Sequence, residues 1–94
     1  MMVSSARLTF YIPHATSLKE KRQVCRSLID KVKHKFNVSI AEVDTQDVHQ
    51  TLTIGIAVIS GTASHTQQSL ETIIRYMEKY IEEFGAELIE VEND

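Results

Sequence analysis

This sequence predicts an α+β domain in which one β-sheet carries two helices on a single face. Three observations predict it. Apolar residues recur with helical spacing twice, once over residues 18–36 and once over residues 70–84. Segments of period-two alternation lie before, between and after those stripes, giving the order β-α-β-β-α-β. With 94 residues the chain has room for one core and not for two, so residues 1–94 read as a single domain.

Each element has its own justification. Leu8, Phe10 and Ile12 alternate with Arg7, Thr9 and Tyr11, a strand with one apolar face that Pro13 ends. Ser17-Leu18-Lys19-Glu20 fits a capping box: the hydroxyl accepts from the Glu20 amide and the carboxylate reaches back. The helix it opens carries Leu18, Val24, Cys25, Leu28, Ile29, Val32 and Phe36 on one stripe, with Asn37 as a left-handed stop. Residues 38–43 form a second strand. Asp44-Thr45-Gln46-Asp47 is turn chemistry, so the next strand returns as a hairpin.

That third strand is expected over residues 50–60. Leu52, Ile54, Ile56 and Val58 face one way, and Thr51, Thr53, Gly55 and Ala57 the other. Gly61-Thr62-Ala63 breaks the pattern. A second helix starts near Ser64, with Ser64 to Gln67 as a capping box, and keeps Leu70, Ile73, Ile74, Met77, Ile81 and Phe84 in helical register up to a stop at Gly85. Residues 86–91 form the last strand, and Glu92-Asn93-Asp94 is expected to fray. One sheet with both helices on one side buries every stripe. Right-handed crossovers then select the ferredoxin-like split β-α-β arrangement.

Composition narrows the function classes. The first seven residues hold no long apolar run, so neither a signal peptide nor a membrane span is expected, and the cytoplasm is the default compartment. One cysteine, Cys25, excludes an intrachain disulfide and a cysteine-built zinc site. The net charge of −3 hides an asymmetry. Residues 19–35 hold seven basic side chains against Glu20 and Asp30, and residues 70–94 hold eight acidic ones against Arg75 and Lys79. An acidic molecule can therefore present a positive surface.

That surface belongs to the first helix. At about 100° per residue, Lys19, Arg22, Arg26 and Lys33 share a narrow sector beside the apolar stripe. Lys21, Lys31 and Lys35 lie toward the opposite flank. A phosphate backbone suits such a row at a helix N-terminus, and Lys19, Lys21, Arg22, Arg26 and Lys33 are the candidate RNA- or anion-binding residues. The competing reading is a solvated helix flank, with cationic stems covering its edges and Asp30 paired to Arg26. The loop before the helix holds no glycine, which excludes a Walker-type phosphate cradle.

Other constellations are weaker. The open sheet face offers Tyr11 on one central strand and only small residues on the other, too few aromatics for RNA binding in the manner of an RNA-recognition motif. It reads either as a flat surface for another subunit or as a solvated row of threonines. Glu42, Asp44, Asp47 and His49 around the hairpin could hold a divalent metal or small ligand, but their spacing matches no strong metal motif and Asp is an ordinary turn residue. Cys25 sits on the apolar stripe as a buried, inert thiol. His14, His34 and His65 have no nucleophile at a recognisable spacing. No cofactor motif is present, and no enzymatic activity is expected.

Two blocks of sequence carry a resemblance. Ser17-Leu18-Lys19-Glu20-Lys21-Arg22 is similar to a signature of the YlxP-like family of small bacterial proteins, a domain of unknown function. Residues 36–44, Gln46-Asp47 and residues 55–60 follow the same pattern in the same order. At His49 the chain departs from it, since the family often carries Trp there. The resemblance implies a ferredoxin-like fold, a cytoplasmic bacterial protein, and genes for translation initiation and ribosome maturation as neighbours. Together with the basic row it leads to the expectation of a non-enzymatic accessory protein contacting ribosomal RNA or a ribosomal particle. The alternative is a homodimeric interaction module that binds no nucleic acid.

Overall fold

The structure is a computed structural model, and it describes residues 1–93. Strand β1 spans Met2–Tyr11, helix α1 Leu18–Lys35, β2 Ser39–Asp44, β3 Thr51–Ser60, helix α2 Ala63–Ile81 and β4 Glu87–Asn93, with a 3-10 turn at Glu82–Phe84 after α2. The sheet order is β2-β3-β1-β4 and every neighbouring pair is antiparallel. This is the ferredoxin-like arrangement expected from the element order. The anticipated fraying of residues 92–94 gives way to pairing: Arg7 faces Glu92 and Ala6 faces Asn93, while Asp94 lies outside the described residues.

The core lies between the helices and one sheet face. Leu8, Phe10, Leu52 and Ile54 from the two central strands are fully buried against Leu28 and Val32 of α1 and Leu70, Ile73, Met77 and Ile81 of α2. Strand β1 starts five residues before the alternation at Arg7 becomes obvious. Ser4 and Ala6 continue its inward face, and the Ser4 hydroxyl donates to Thr66 Oγ1 at 2.9 Å across the buried layer. Small inward residues give no hydrophobic signal, which is why the early part of the strand is hard to read.

The helix ends depart from expectation in instructive ways. Ser17 caps α1 by accepting from the Glu20 amide at 3.2 Å, but the Glu20 carboxylate reaches one residue further back, to the amide and hydroxyl of Thr16. Those bonds hold the Glu20 carboxyl below its usual range. Asn37 is no left-handed stop; α1 ends in extended backbone at Phe36. Thr62 caps α2, its hydroxyl accepting from the His65 amide, so the box at Ser64 does not form. Gly85 is left-handed as expected, with φ of 69°. A row of aromatic rings, Phe36, Tyr76, Tyr80 and Phe84, runs between the helices, and Ser27 and Tyr80 share a hydroxyl–hydroxyl bond of 2.6 Å.

Candidate functional site

The site begins with α1. Lys19, Arg22, Arg26 and Lys33 are solvent-facing, as their sector predicts. Among the described residues none of the four has an ion-pair partner, and the Arg26–Asp30 pair of the competing reading does not form. From Lys19 to Lys33 the row covers about 21 Å at 1.5 Å per residue. Lys31 is exposed, and Lys35 lies on the side toward α2, where its ammonium is 5.1 Å from the Tyr76 ring centre.

Lys21 requires a correction. Its basic side chain and its place in the first turn put it among the candidate anion-binding residues, but that side chain is only 1% exposed. Its Nζ lies 2.9 Å from Glu42 Oε2 and donates to the carbonyls of Thr45 and of Val48, the latter at 2.7 Å. The approach to Oε2 is off the hydrogen-bonding direction, so this oxygen has an ionic partner and no hydrogen bond. An ammonium whose donors and charge are committed to protein acceptors has nothing left for a phosphate. Its position is visible in the sequence: Lys21 precedes Val24 and Cys25 by three and four residues, squarely on the buried stripe. Its residue type conceals it. Removing it takes the local charge of residues 19–35 that reaches solvent from +5 to +4.

The same ammonium organises the β2–β3 hairpin. Thr45 sits at φ of 59°, a conformation costly for a β-branched residue. Its contacts hold it there. The amide donates to Asp44 Oδ1 at 2.9 Å, the hydroxyl donates to Asp44 O at 2.6 Å and meets Thr53 Oγ1 at 3.0 Å, and the carbonyl accepts from Lys21. Glu42 is therefore committed to a structural pair. Among the described residues no group of three or more His, Cys, Asp or Glu side chains is placed to hold a metal ion, and the hairpin residues do not converge. Cys25 is buried, and desolvation with the nearby Glu42 charge pushes its thiol up to about 11, so at neutral pH it stays protonated.

The open sheet face is less flat than the sequence suggests. Arg7, Thr9 and Tyr11 face Gly55, Thr53 and Thr51 as the alternation requires. Thr53, however, is only 3% exposed beneath the Thr45 hydroxyl, and Val43 leans over Gly55, where a Cβ would come within 2.8 Å of a valine methyl. At the far end Val3 and Ile59 stand opposite each other, each more than half exposed. On the β4 edge, the Glu90 carboxyl is raised above its usual range, because its protonated form donates a hydrogen bond to Glu92 and the Glu92 charge disfavours ionisation.

No helix among the described residues is long and apolar enough to cross a membrane. Among solved structures, the fold is similar to a de novo designed ferredoxin-fold protein, LFR1 1, with a TM-score of 0.61, 16% identity, and coverage of 100% of this chain and 84% of that one. It is also similar to a C-terminal segment of the α subunit of aIF2 from Pyrococcus abyssi, with a TM-score of 0.58 and 14% identity. That match covers 98% of this chain and 48% of the other, so this chain spans about half of that segment. At these identities the likeness concerns the fold. A curated relative, the uncharacterized protein YlxP of Bacillus subtilis, is 36% identical over 81 residues, covering 86% of this chain and 88% of that protein. The model of the family described as "Protein of unknown function (DUF503)" matches residues 3–93, and with that relative beside it the chain belongs to the DUF503 family.

Proposed function

We propose that this chain is a non-enzymatic accessory protein that grips the phosphate backbone of structured RNA along the exposed side of α1. Ribosomal RNA, or a ribosomal particle, is the class to which the gene neighbourhood implied by the family resemblance points. One observation carries the reading: Lys19, Arg22, Arg26 and Lys33 stand in a solvent-facing row, without ion-pair partners among the described residues, on a chain of net charge −3. An acidic domain that leaves four cations unneutralised on one helix flank has a local field suited to a polyanion. The row is made of flexible cationic side chains, which would position the backbone rather than read sequence. The reading as non-enzymatic is supported by the engagement of the reactive side chains: Cys25 is held protonated in the core, and Glu42 is paired with Lys21.

The test is binding to ribosomal particles and to ribosomal RNA fragments across a salt series, for the parent and for the double variant Arg22→Glu, Arg26→Glu. Every phosphate that a cation no longer neutralises should flatten the salt dependence by a slope of roughly 0.7–0.9, so the double change should lower it by roughly 1.4–1.8. Both side chains are exposed, and the melting temperature should hold. Equal binding by both proteins, or no binding by either at low salt, returns the row to a solvated helix flank.

A further inference from the structure

We propose that residues 46–49, the tip of the β2–β3 hairpin, read an unpaired nucleobase beside the phosphate-gripping row of α1. The inference rests on the RNA reading above and supplies what that row lacks, a means of telling one base from another. It starts from a contrast within one loop. The backbone is fastened from both sides. Lys21 Nζ donates to the carbonyls of Thr45 and Val48, and the Val48 amide donates to Thr45 O at 3.0 Å. One residue past His49, the Gln50 carbonyl accepts from the Ile12 amide at 2.8 Å, and the Gln50 side-chain amide donates to Pro13 O at 3.3 Å. His49 is therefore held between two anchored residues. Yet the side chains of Gln46, Asp47, Val48 and His49 are all exposed. Among the described residues, those of Gln46, Asp47 and His49 make no hydrogen bond to the protein. A firmly held loop whose tip side chains are unused by the fold is how a rigid scaffold presents recognition groups.

The anchors also set where the tip stands. Lys21 lies between Lys19 and Arg22 in the chain, and Ile12 and Pro13 lead into α1. The loop is thus fastened at the end of α1 where the cationic row begins. The charge of the His49 imidazole reaches the Glu20 carboxylate in the first turn of that helix. An RNA strand leaving the row at Lys19 meets this tip next.

Charge decides which part of a nucleotide fits there. Asp47 and Glu20 both carry carboxyl groups, and the bonds from Thr16 favour the ionised form of Glu20, so a phosphate gains little. A base does better. The His49 imidazole offers a flat ring for stacking, and Val48, 48% exposed, offers an apolar surface beside it. Gln46 and Asp47 supply hydrogen-bonding groups for a Watson–Crick edge. An ionised carboxylate only accepts, so Asp47 favours a base that presents an amino group and rejects one that presents a carbonyl in its place. Cytosine and uracil differ in this way, an amino donor in one and a carbonyl acceptor in the other.

The probe is a stem–loop RNA with a short single-stranded tail, all cytidine or all uridine, titrated across a salt series. It is tested against the parent, His49→Ala, His49→Phe and Asp47→Asn. Both positions are exposed, so the variants should melt like the parent. The parent should prefer the cytidine tail. His49→Ala should weaken binding of that RNA by roughly 5- to 30-fold, the lower part of the range for a base stacked on an aromatic ring. Its salt slope should match the parent's, because stacking releases no counterion. His49→Phe should restore the affinity, which replacing a lost imidazolium–phosphate contact could not do. Asp47→Asn should bring the two tails within about twofold, because an amide both donates and accepts. The proposal is overturned if the parent binds both tails alike, if His49→Ala binds like the parent or flattens the salt slope, or if His49→Phe restores nothing. Where Arg22→Glu, Arg26→Glu flattens the slope and His49→Ala changes nothing, the loop alone is refuted and the row stands. Where the parent binds neither RNA at low salt, both fall.

Discussion

Replacing Lys21 by Met would remove the ammonium at the centre of the helix–hairpin junction while keeping most of the stem's bulk. The cost can be worked from the surroundings. Glu42 would lose its ionic partner at 2.9 Å, and the carbonyls of Thr45 and Val48 would lose a charged donor. Breaking a fully buried pair costs about 3–5 kcal/mol. The Glu42 side chain keeps 19% of its surface in water, which softens the penalty to about 2–4 kcal/mol. In a domain of this size each kcal/mol is worth about 4–8 °C, so the midpoint should fall by about 8–32 °C. Thermal unfolding followed by circular dichroism measures it. The double variant Lys21→Met, Glu42→Leu should recover a good part of the loss, since the stranded carboxylate is then gone. A single variant melting within about 4 °C of the parent, or a double variant no better than the single, would refute the account of Lys21 as the structural cation of the hairpin.

Two further outcomes follow from local geometry. Gly85→Ala places a methyl about 3.0 Å from the His14 ring at a φ of 69°, and should cost about 1–2 kcal/mol in urea unfolding; shortening His14 as well should return only the steric share. The Cys25 thiol is raised in the folded chain from 9.0 to about 11, chiefly by burial, so folding favours its protonated form. Its contribution is complete below about pH 9 and is lost as pH rises toward 11; Cys25→Ala should flatten that alkaline decline in urea midpoints.

The architecture is legible in the sequence because its signals are redundant. Leu8, Phe10 and Ile12 specify a strand face, the stripe from Val24 to Val32 specifies a helix face, and only one layer arrangement buries both. Boundaries slip where side chains are small or ambiguous: Ser4 and Ala6 hide the start of β1, and Thr62 caps α2 ahead of the more obvious Ser64. The basic row is legible as an angular sector, and its exposure agrees. The role of Lys21 is not, because burial of a charge depends on partners brought from afar. Glu42, Thr45 and Val48 lie 21 to 27 residues away, and no local pattern announces that they will converge. Thr53 hides for a related reason: a left-handed threonine eight residues before it turns its hydroxyl over what would otherwise be open surface.

The convergence of Lys21, Glu42 and two loop carbonyls has a consequence for how the molecule opens. A hairpin loop of this kind would ordinarily fray independently, exchanging its amide hydrogens far faster than the core. Here the loop cannot lift without drawing the ammonium out of α1's buried side or leaving it dry and unpaired. Loop and helix must therefore part together, in one cooperative unit. The Val48 amide, bonded to Thr45 O at 3.0 Å inside that loop, then inherits the protection of α1 rather than that of the surface on which it lies.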